Sequence, residues 1–406
     1  GPINGNWITG IDFIDKKRGV DSSTVSLSQA DPRIRAPFYG IPLILGLLGI
    51  FVHFAKDSRG SYAVLALFAM TGIALVLYLN QTPFQARERD YAYLGAFLSF
   101  SIWIGIGASF IIEKLKYNLG KPGLILGFVL AFTAPLIMLA NGWDLHNKSN
   151  RNIVHESAFN YLNSCPTNAI LFTQGDNDTY PLWYLQHVEG IRRDVRVVNL
   201  SLLNTDWYIE QMRKAQFDSR PIKFSVDQKH YRGSRLLYLP VVDKNLAQMT
   251  VSSLLEFVVS EEDSTRYKGS YQMKDKLPAT ELLLPMKDDT LSWNLNRTYS
   301  LKSDIAVVDI IGSNFPDRPI AFTSSCSASA RLGLGKYLRR KGMIYELGTE
   351  VGANAVDVFD PQSNAAFLQR ECRLGAFSES SKIYNEEAIR LVWSYRVELL
   401  KTCKAL

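Results

Sequence analysis

A chain of 406 residues is long enough for two or three domains at roughly 100–200 residues each, and 47% of it is hydrophobic. The net charge is +6, but Lys and Arg are interleaved with Asp and Glu, which excludes a massed nucleic-acid-binding face. The cysteines Cys165, Cys326, Cys372 and Cys403 have neither CxxC nor His-paired spacing, which argues against a zinc centre and leaves a disulfide open if the soluble part is exported.

The mean hydropathy of −0.03 averages two unlike regions. Residues 1–36 open with "GPINGNWITG", which lacks the basic and apolar segments of a signal peptide, and read as an extracytoplasmic arm or the remnant of a longer upstream region. Over 37–143 the chain carries four runs without Asp, Glu, Lys or Arg, at 37–55, 60–86, 91–112 and 122–143. Each can supply the ~20 residues that cross a hydrocarbon core of roughly 30 Å. The expected spans are Pro37–Ala55, Ser61–Leu79, Tyr91–Ile112 and Pro122–Trp143. The spans themselves lack charged residues, which argues against an ion or proton path. Lys56 and Arg59 in the first connection, with Lys114, Lys116 and Lys121 in the third, outnumber Arg87 and Arg89 in the second, so the first and third connections are expected in the cytoplasm.

The second connection, "QARERDYA", holds Arg87, Glu88, Arg89 and Asp90 in succession. Such charges can simply mark the end of a span. Two arginines within three residues can also bind a phosphate through paired N–H donors, and at headgroup depth that phosphate belongs to a lipid. After the last span, "NGWDLHNKSNR" sets Trp143 at the interface with Asp144 and His146 just beyond it. Anchoring is the plainer reading, and acid–base work beside a lipid-borne substrate the sharper one.

Residues 144–350 read as an α/β domain. "AILFTQG" (169–175) is a short strand closed by glycine, "PLWYLQHV" (181–188) a helix with Pro181 at its first position, and "VRVVNLSLL" (195–203) a second strand, giving one βαβ unit with a parallel pair. Between strand and helix lies "GDNDTY", with Asp176, Asn177, Asp178 and Tyr180. Carboxylates there suit helix capping first, an acceptor or ligand second, and a divalent metal last. Farther on, 249–260 and 304–314 read as helices, "RPIAFTS" (318–324) as a strand and "LGKYLRRKG" (334–342) as a helix stopped by glycine, while 262–303 fits no regular pattern. Residues 351–406 form a helical C-terminal segment ending in an amphipathic helix. No Ser/His/Asp order, Cys/His pair, P-loop or GxGxxG is present.

The strings "LNQTPFQARERDYAYLGAF", "WDLHNKSNR", "YLNSCPTNAILFTQGDNDTYPLWYLQHVEGIRRDVRVVNLSLLNTDWYI" and "RPIAFTS" with "LGLGKYLRRKGMIYELG" resemble a bacterial inner-membrane family of unknown function. That family is grouped with protein O-mannosyltransferase-like glycosyltransferases of the multi-spanning GT-C type. The resemblance covers about 75–215 densely and 300–350 more loosely. It implies a polyprenyl-phosphate sugar as donor, an exported protein or envelope glycan as acceptor, no further cofactor, and a periplasmic soluble domain. It also implies a catalytic acidic residue in an outer loop upstream of this chain, which would then be the carboxyl-terminal part of the enzyme. On this reading Arg87 and Arg89 meet the donor phosphate, and Asp144, His146, Asp176, Asn177, Asp178 and Tyr180 meet the acceptor. The rival expectation is a non-catalytic membrane protein whose soluble domain docks an envelope export or assembly complex.

The charge bias makes a direct prediction. A cysteine placed at Ser58 resists a membrane-impermeant thiol reagent in intact cells, and one placed at Gln81 reacts. The opposite labelling pattern reverses the orientation.

Overall fold

In the computed structural model the described residues are 40–80, 90–147, 149, 152–234, 236–241, 248–260, 266–268, 273–275, 277–287, 289–351, 360–375 and 386–406. The chain divides into two compact units, Gly1–Ser149 with Ser381–Glu386, and Asn150–Ser380 with Glu387–Leu406.

The first unit is helical. Helix α1 covers Ile41–Lys56, α2 covers Ser58–Leu79 with a π-helical turn at Ala69–Ile73, and α3 covers Leu94–His146. Among the described residues two helical runs are long and apolar enough to cross a membrane, Ser58–Leu79 and Tyr91–Ala140, where four were expected. The first expected span is only a 16-residue helix, about 24 Å of rise against a core of roughly 30 Å. The third and fourth fall within one helical run, since the polar stretch at 113–121 stays helical up to Gly120, and the non-helical φ of 67° at Gly120 divides that run into two arms. The chain folds back there: a Cβ on Gly123 would lie 2.0 Å from the Leu115 carbonyl oxygen, and one on Gly127 2.9 Å from Ile112 Cα. Glycine also sets the α1–α3 crossing, since a Cβ on Gly49 would lie 1.7 Å from the Trp103 carbonyl oxygen. Small residues at such crossings let backbones meet where lipid supplies no hydrophobic drive.

The second unit is α/β. Helix α4 (Ile153–Ser164) precedes strand β1 (Ile170–Thr173), helix α5 (Asp176–His187), strand β2 (Arg196–Asn199) and the short helix α6 (Asp206–Met212). Helix α7 (Val251–Val259) leads to the hairpin β3 (Glu281–Pro285) and β4 (Thr290–Asn294) within the stretch that fitted no pattern. Then follow α8 (Lys302–Asn314), β5 (Ile320–Thr323), β6 (Leu338–Lys341), β7 (Ile344–Leu347), α9 (Pro361–Arg370) and α10 (Glu386–Ala405). The main sheet runs β6-β7-β5-β1-β2, with β1 parallel to both neighbours. Ile170 pairs with Ile320 on one side and with Arg196 on the other. All four residues of β1, β2 and β5 are buried, as expected for parallel strands covered on both faces.

The segment read as a helix at 334–342 is instead a 3₁₀ turn (Leu334–Tyr337) followed by β6. Leu338 and Arg340 are buried and alternate with Arg339 and Lys341, a period of two. Arg340 is drawn inward by Glu398 of α10 at 2.6 Å, both side chains being about 5% exposed. The last helix therefore groups with the α/β unit through a buried ion pair, and removing one partner would strand the other charge.

Polar anchors hold the irregular segments. The buried Asp309 carboxylate of α8 accepts from Ser225 N and Oγ, Val226 N, Tyr231 OH and Ser313 Oγ. Burial, with Asp309 alongside, raises the Tyr231 hydroxyl well above its ordinary pKa. Arg192 donates to the carbonyls of Leu162, Cys165 and Pro166 and grips both Asp194 oxygens, at 2.9 and 3.0 Å. Burial pushes the Asp194 carboxyl up, but the Arg192 bonds and the Asn168 N–H outweigh it and hold it below the usual range.

This pair predicts an acid-sensitive clamp. A carboxylate with a depressed folded-state pKa stabilises the fold above the ordinary carboxylate pKa of about 4, and that stability is lost as pH falls through the lower folded value. Asp194→Asn should cost about 1–3 kcal/mol at pH 7 and flatten the loss of stability below about pH 4, as read from denaturation midpoints across pH.

Candidate functional site

Strand β1 sends the chain through α5 to β2 on one side, while β5 returns on the other. The C-terminal edges of β1 and β5 are therefore a switch point of strand order, where open parallel sheets place their binding crevices.

The turn after β1 is made by Gly175 at φ 83°, a backbone state glycine adopts without strain. Helix α5 then starts at Asp176, earlier than expected, so Pro181 lies in its second turn and not at its first position. Proline has no N–H to give to the carbonyl of Asn177, which is left open to another donor. Gly175 is the N-cap, and the helix has no side-chain cap. Asp176 and Asp178 instead sit in the first turn, where their charge complements the helix dipole.

What the Asp178 carboxylate meets comes from the other strand. Ser325, after β5, donates its hydroxyl to Asp178 Oδ2 at 2.6 Å and lies 2.9 Å from Thr323 Oγ1. Ser327 N donates to Gln174 Oε1 at 2.7 Å, a second tie between the two loops. Tyr161 of α4 reaches Ser324 Oγ at 3.1 Å, and burial pushes its hydroxyl up to about 12. Beneath them Thr173, Thr179 and Asn199 form a buried polar layer, with Thr179 Oγ1 2.7 Å from Thr173 Oγ1 and accepting from Asn199 Nδ2 at 2.9 Å.

At the rim Asp176, Asn177 and Tyr180 are exposed and Asp178 is half-buried. Tyr180 is tilted by 30° against Trp183, ring centroids 5.6 Å apart, so an amphipathic aromatic surface adjoins carboxylate, amide and hydroxyl groups. That combination can hold a polyhydroxylated or Ser/Thr-rich ligand. Cys326 lies within the serine-rich loop, but burial pushes its thiol up to about 12, which leaves it protonated and poor as a nucleophile. All four cysteines are free. Among the described residues no group of three or more His, Cys, Asp or Glu side chains could hold a metal.

The structure gathers Asp176, Asn177, Asp178 and Tyr180 along the start of one helix. Asp144 and His146 lie in the last turn of α3, in the other unit, and Arg87 and Arg89 lie outside the described residues. The residues that sequence reasoning missed are Gln174, Ser324, Ser325 and Ser327. The signal for the three serines was the run "SSCSAS" directly after a predicted strand.

Residues 154–290 and 286–351 match the family TMEM260-associated domain 2, a range that contains β1, β5 and the loops that follow them. The chain, matched over just under half of its length, shows a relation to the TMEM260 family at this domain. It is similar to the protein O-mannosyl-transferase TMEM260 of Mus musculus, 30% identical over 115 residues, which are 28% of this chain and 16% of that protein. The chain thus spans well under two thirds of the curated relative's length. No solved structure matches.

The Asp178–Ser325 bridge should contribute measurably. Asp178→Ala removes a first-turn charge and the acceptor of a charge-assisted hydrogen bond, and should lower stability by about 1 kcal/mol, with Asp178→Asn milder. Chemical denaturation of the two variants and wild type checks this, and equal losses would mean that charge plays no part.

Proposed function

We propose that the chain is part of a membrane glycosyltransferase and that its α/β unit holds the acceptor at the edge between β1 and β5. The observation that carries this reading is the joining of Asp178 to Ser325 across the two strand ends, beside the exposed Tyr180 and the amide of Asn177. The relation to the TMEM260 family supports a glycosyltransferase-related role, and two helical runs able to cross a membrane support membrane association.

On this proposal the donor is a polyprenyl-phosphate sugar whose phosphate is gripped by Arg87 and Arg89. The acceptor is a hydroxyl of an exported protein or envelope glycan, oriented by Asp176, Asn177, Asp178 and Tyr180, with Asp144 and His146 near the membrane. In the transfer the anomeric carbon leaves the donor phosphate and bonds to the acceptor oxygen, whose proton passes to a general base. The chain sits as a multi-pass protein of a bacterial inner membrane with the α/β unit in the periplasm.

A second reading rests on α5 as well. Tyr180, Tyr184 and Val188, at a spacing of four, are all at least half exposed along one face, which suits docking of another envelope protein.

The two readings separate on one measurement. With the full chain in nanodiscs, ligand-observed NMR should detect binding of a mannoside or of a Ser/Thr-rich peptide. Tyr180→Ala and Asp178→Ala should each weaken that binding about tenfold, since an aromatic contact or a charged hydrogen bond carries ~1.4 kcal/mol or more. Unaltered binding in both variants would remove the crevice as the acceptor site.

A further inference from the structure

Between α1 and the first arm of α3 runs a groove of about 370 Å³, within the range of small-molecule clefts. Its walls are Val52 of α1 and Ile102, Ile106 and Phe110 of α3, which recur at the spacing of one helix face. Gly105 belongs to the lining, and a Cβ built there meets nothing within 4 Å, so the absent side chain is part of the open space. At one end Lys56 and Glu113 close the groove with an ion pair of 3.2 Å, both side chains more than 60% exposed. From Ile102 to Glu113 the groove follows about 17 Å of helix, close to half the thickness of a bilayer core.

An apolar slot about one leaflet deep, ending at a cation, has the dimensions and polarity of a single lipid chain with its phosphate. The charged end carries Lys56, Arg59, Lys114, Lys116 and Lys121 against Asp57 and Glu113. Asp57 is already engaged, capping α2 through Gly60 N at 3.1 Å. An exposed Lys–Glu pair is worth little, so a phosphate can take Lys56 from Glu113, and the surplus of cations favours a headgroup with net negative charge.

We infer that this groove binds one acyl chain of an anionic glycerophospholipid, with the lipid phosphate at Lys56. The inference rests on the helical runs of the first unit lying in a bilayer. It is separate from the donor and acceptor sites proposed above.

The test uses the full chain, delipidated in detergent, with native mass spectrometry during titration of phosphatidylglycerol, phosphatidylcholine or a polyprenyl phosphate, and flotation with liposomes as a parallel assay. Wild type should bind phosphatidylglycerol at least fivefold more tightly than phosphatidylcholine. Gly105→Leu, which fills the groove, should lose both by tenfold or more. Lys56→Gln, which leaves the apolar walls untouched, should weaken phosphatidylglycerol more than phosphatidylcholine and so narrow the gap between the two lipids. Equal lipid affinities in wild type, or wild-type selectivity in both variants, would overturn the site. Tighter binding of polyprenyl phosphate than of phosphatidylglycerol would overturn the phospholipid assignment. A chain that fails to float with liposomes of any composition would overturn the membrane reading itself, and that result is distinguishable from floating without selectivity.

Discussion

The α/β unit depends on β1 being parallel to both of its neighbours. Because Ile170 pairs with Ile320 and Arg196 at once, the C-terminal ends of β5 and β1 are held side by side, and whatever loops follow them must share one edge. Burial on both faces of β1 leaves no freedom to slip, since a one-residue shift would exchange the faces on which every side chain packs. The crevice is thus a consequence of register, with chemistry added by loops that the register has already positioned. That division explains how short polar residues such as Ser325 and Asn177 can be oriented without long side chains reaching across.

A polar layer just below the crevice makes the edge rigid. Thr173, Thr179 and Asn199 are fully buried and bonded to one another, and Asn199 Oδ1 also accepts from Ser201 N and Leu202 N. A satisfied network of this kind resists rearrangement, because breaking one member strands a buried donor or acceptor at a cost of about 1–3 kcal/mol. By contrast the groups above it, Asp176, Asn177, Ser325 and Ser327, are exposed and exchange bonds with water at little cost. A ligand meeting them would replace water on a surface whose geometry is already set.

Sequence reasoning succeeded where a single local pattern decides structure and failed where tertiary partners do. The βαβ unit of β1, α5 and β2 was legible because two short apolar runs flank a helix signal at the right distances. The start of α5 was misplaced because Pro181 is the stronger local marker, whereas Gly175 makes the turn from a distance of six residues. Strand β6 was read as a helix because Arg339, Arg340 and Lys341 look like a solvated helical end. Only Glu398, far along the chain, reveals that Arg340 points inward. The hairpin of β3 and β4 does alternate, with Leu282 and Leu284 buried and paired with Trp293 and Leu291, but short alternation amid polar residues gave no boundary. In the helical unit the charged stretch 113–121 marked the division between the third and fourth apolar runs, and the break falls within it at Gly120, but hydropathy did not show that helix continues through the charged residues up to that glycine. The Asp178 half of the crevice was visible in the sequence. Its serine half was present in the sequence as a serine-rich run but could not be joined to Asp178, because the two halves are 147 residues apart and meet only through the parallel pairing of β1 and β5.

The two units put the same residue type to different uses. In the helical unit glycine permits backbone approach: at Gly49 the neighbouring helix comes so near that a methyl group would overlap the Trp103 carbonyl, while at Gly105 the same α3 leaves a space that no side chain fills. Gly107, one turn beyond Trp103, is pressed against α1 as well, since a Cβ there would lie 2.1 Å from the Leu45 carbonyl oxygen, so Gly105 between them faces aside from the crossing. In the α/β unit glycine serves conformation instead, with Gly175 and Gly333 at positive φ where the chain turns. Gly333 combines both uses, since a Cβ there would lie 1.8 Å from the Asn294 carbonyl oxygen. The loop between β5 and β6 is thereby pressed against β4, which limits how far the serine-rich segment can move from Asp178 and keeps the two halves of the crevice in contact.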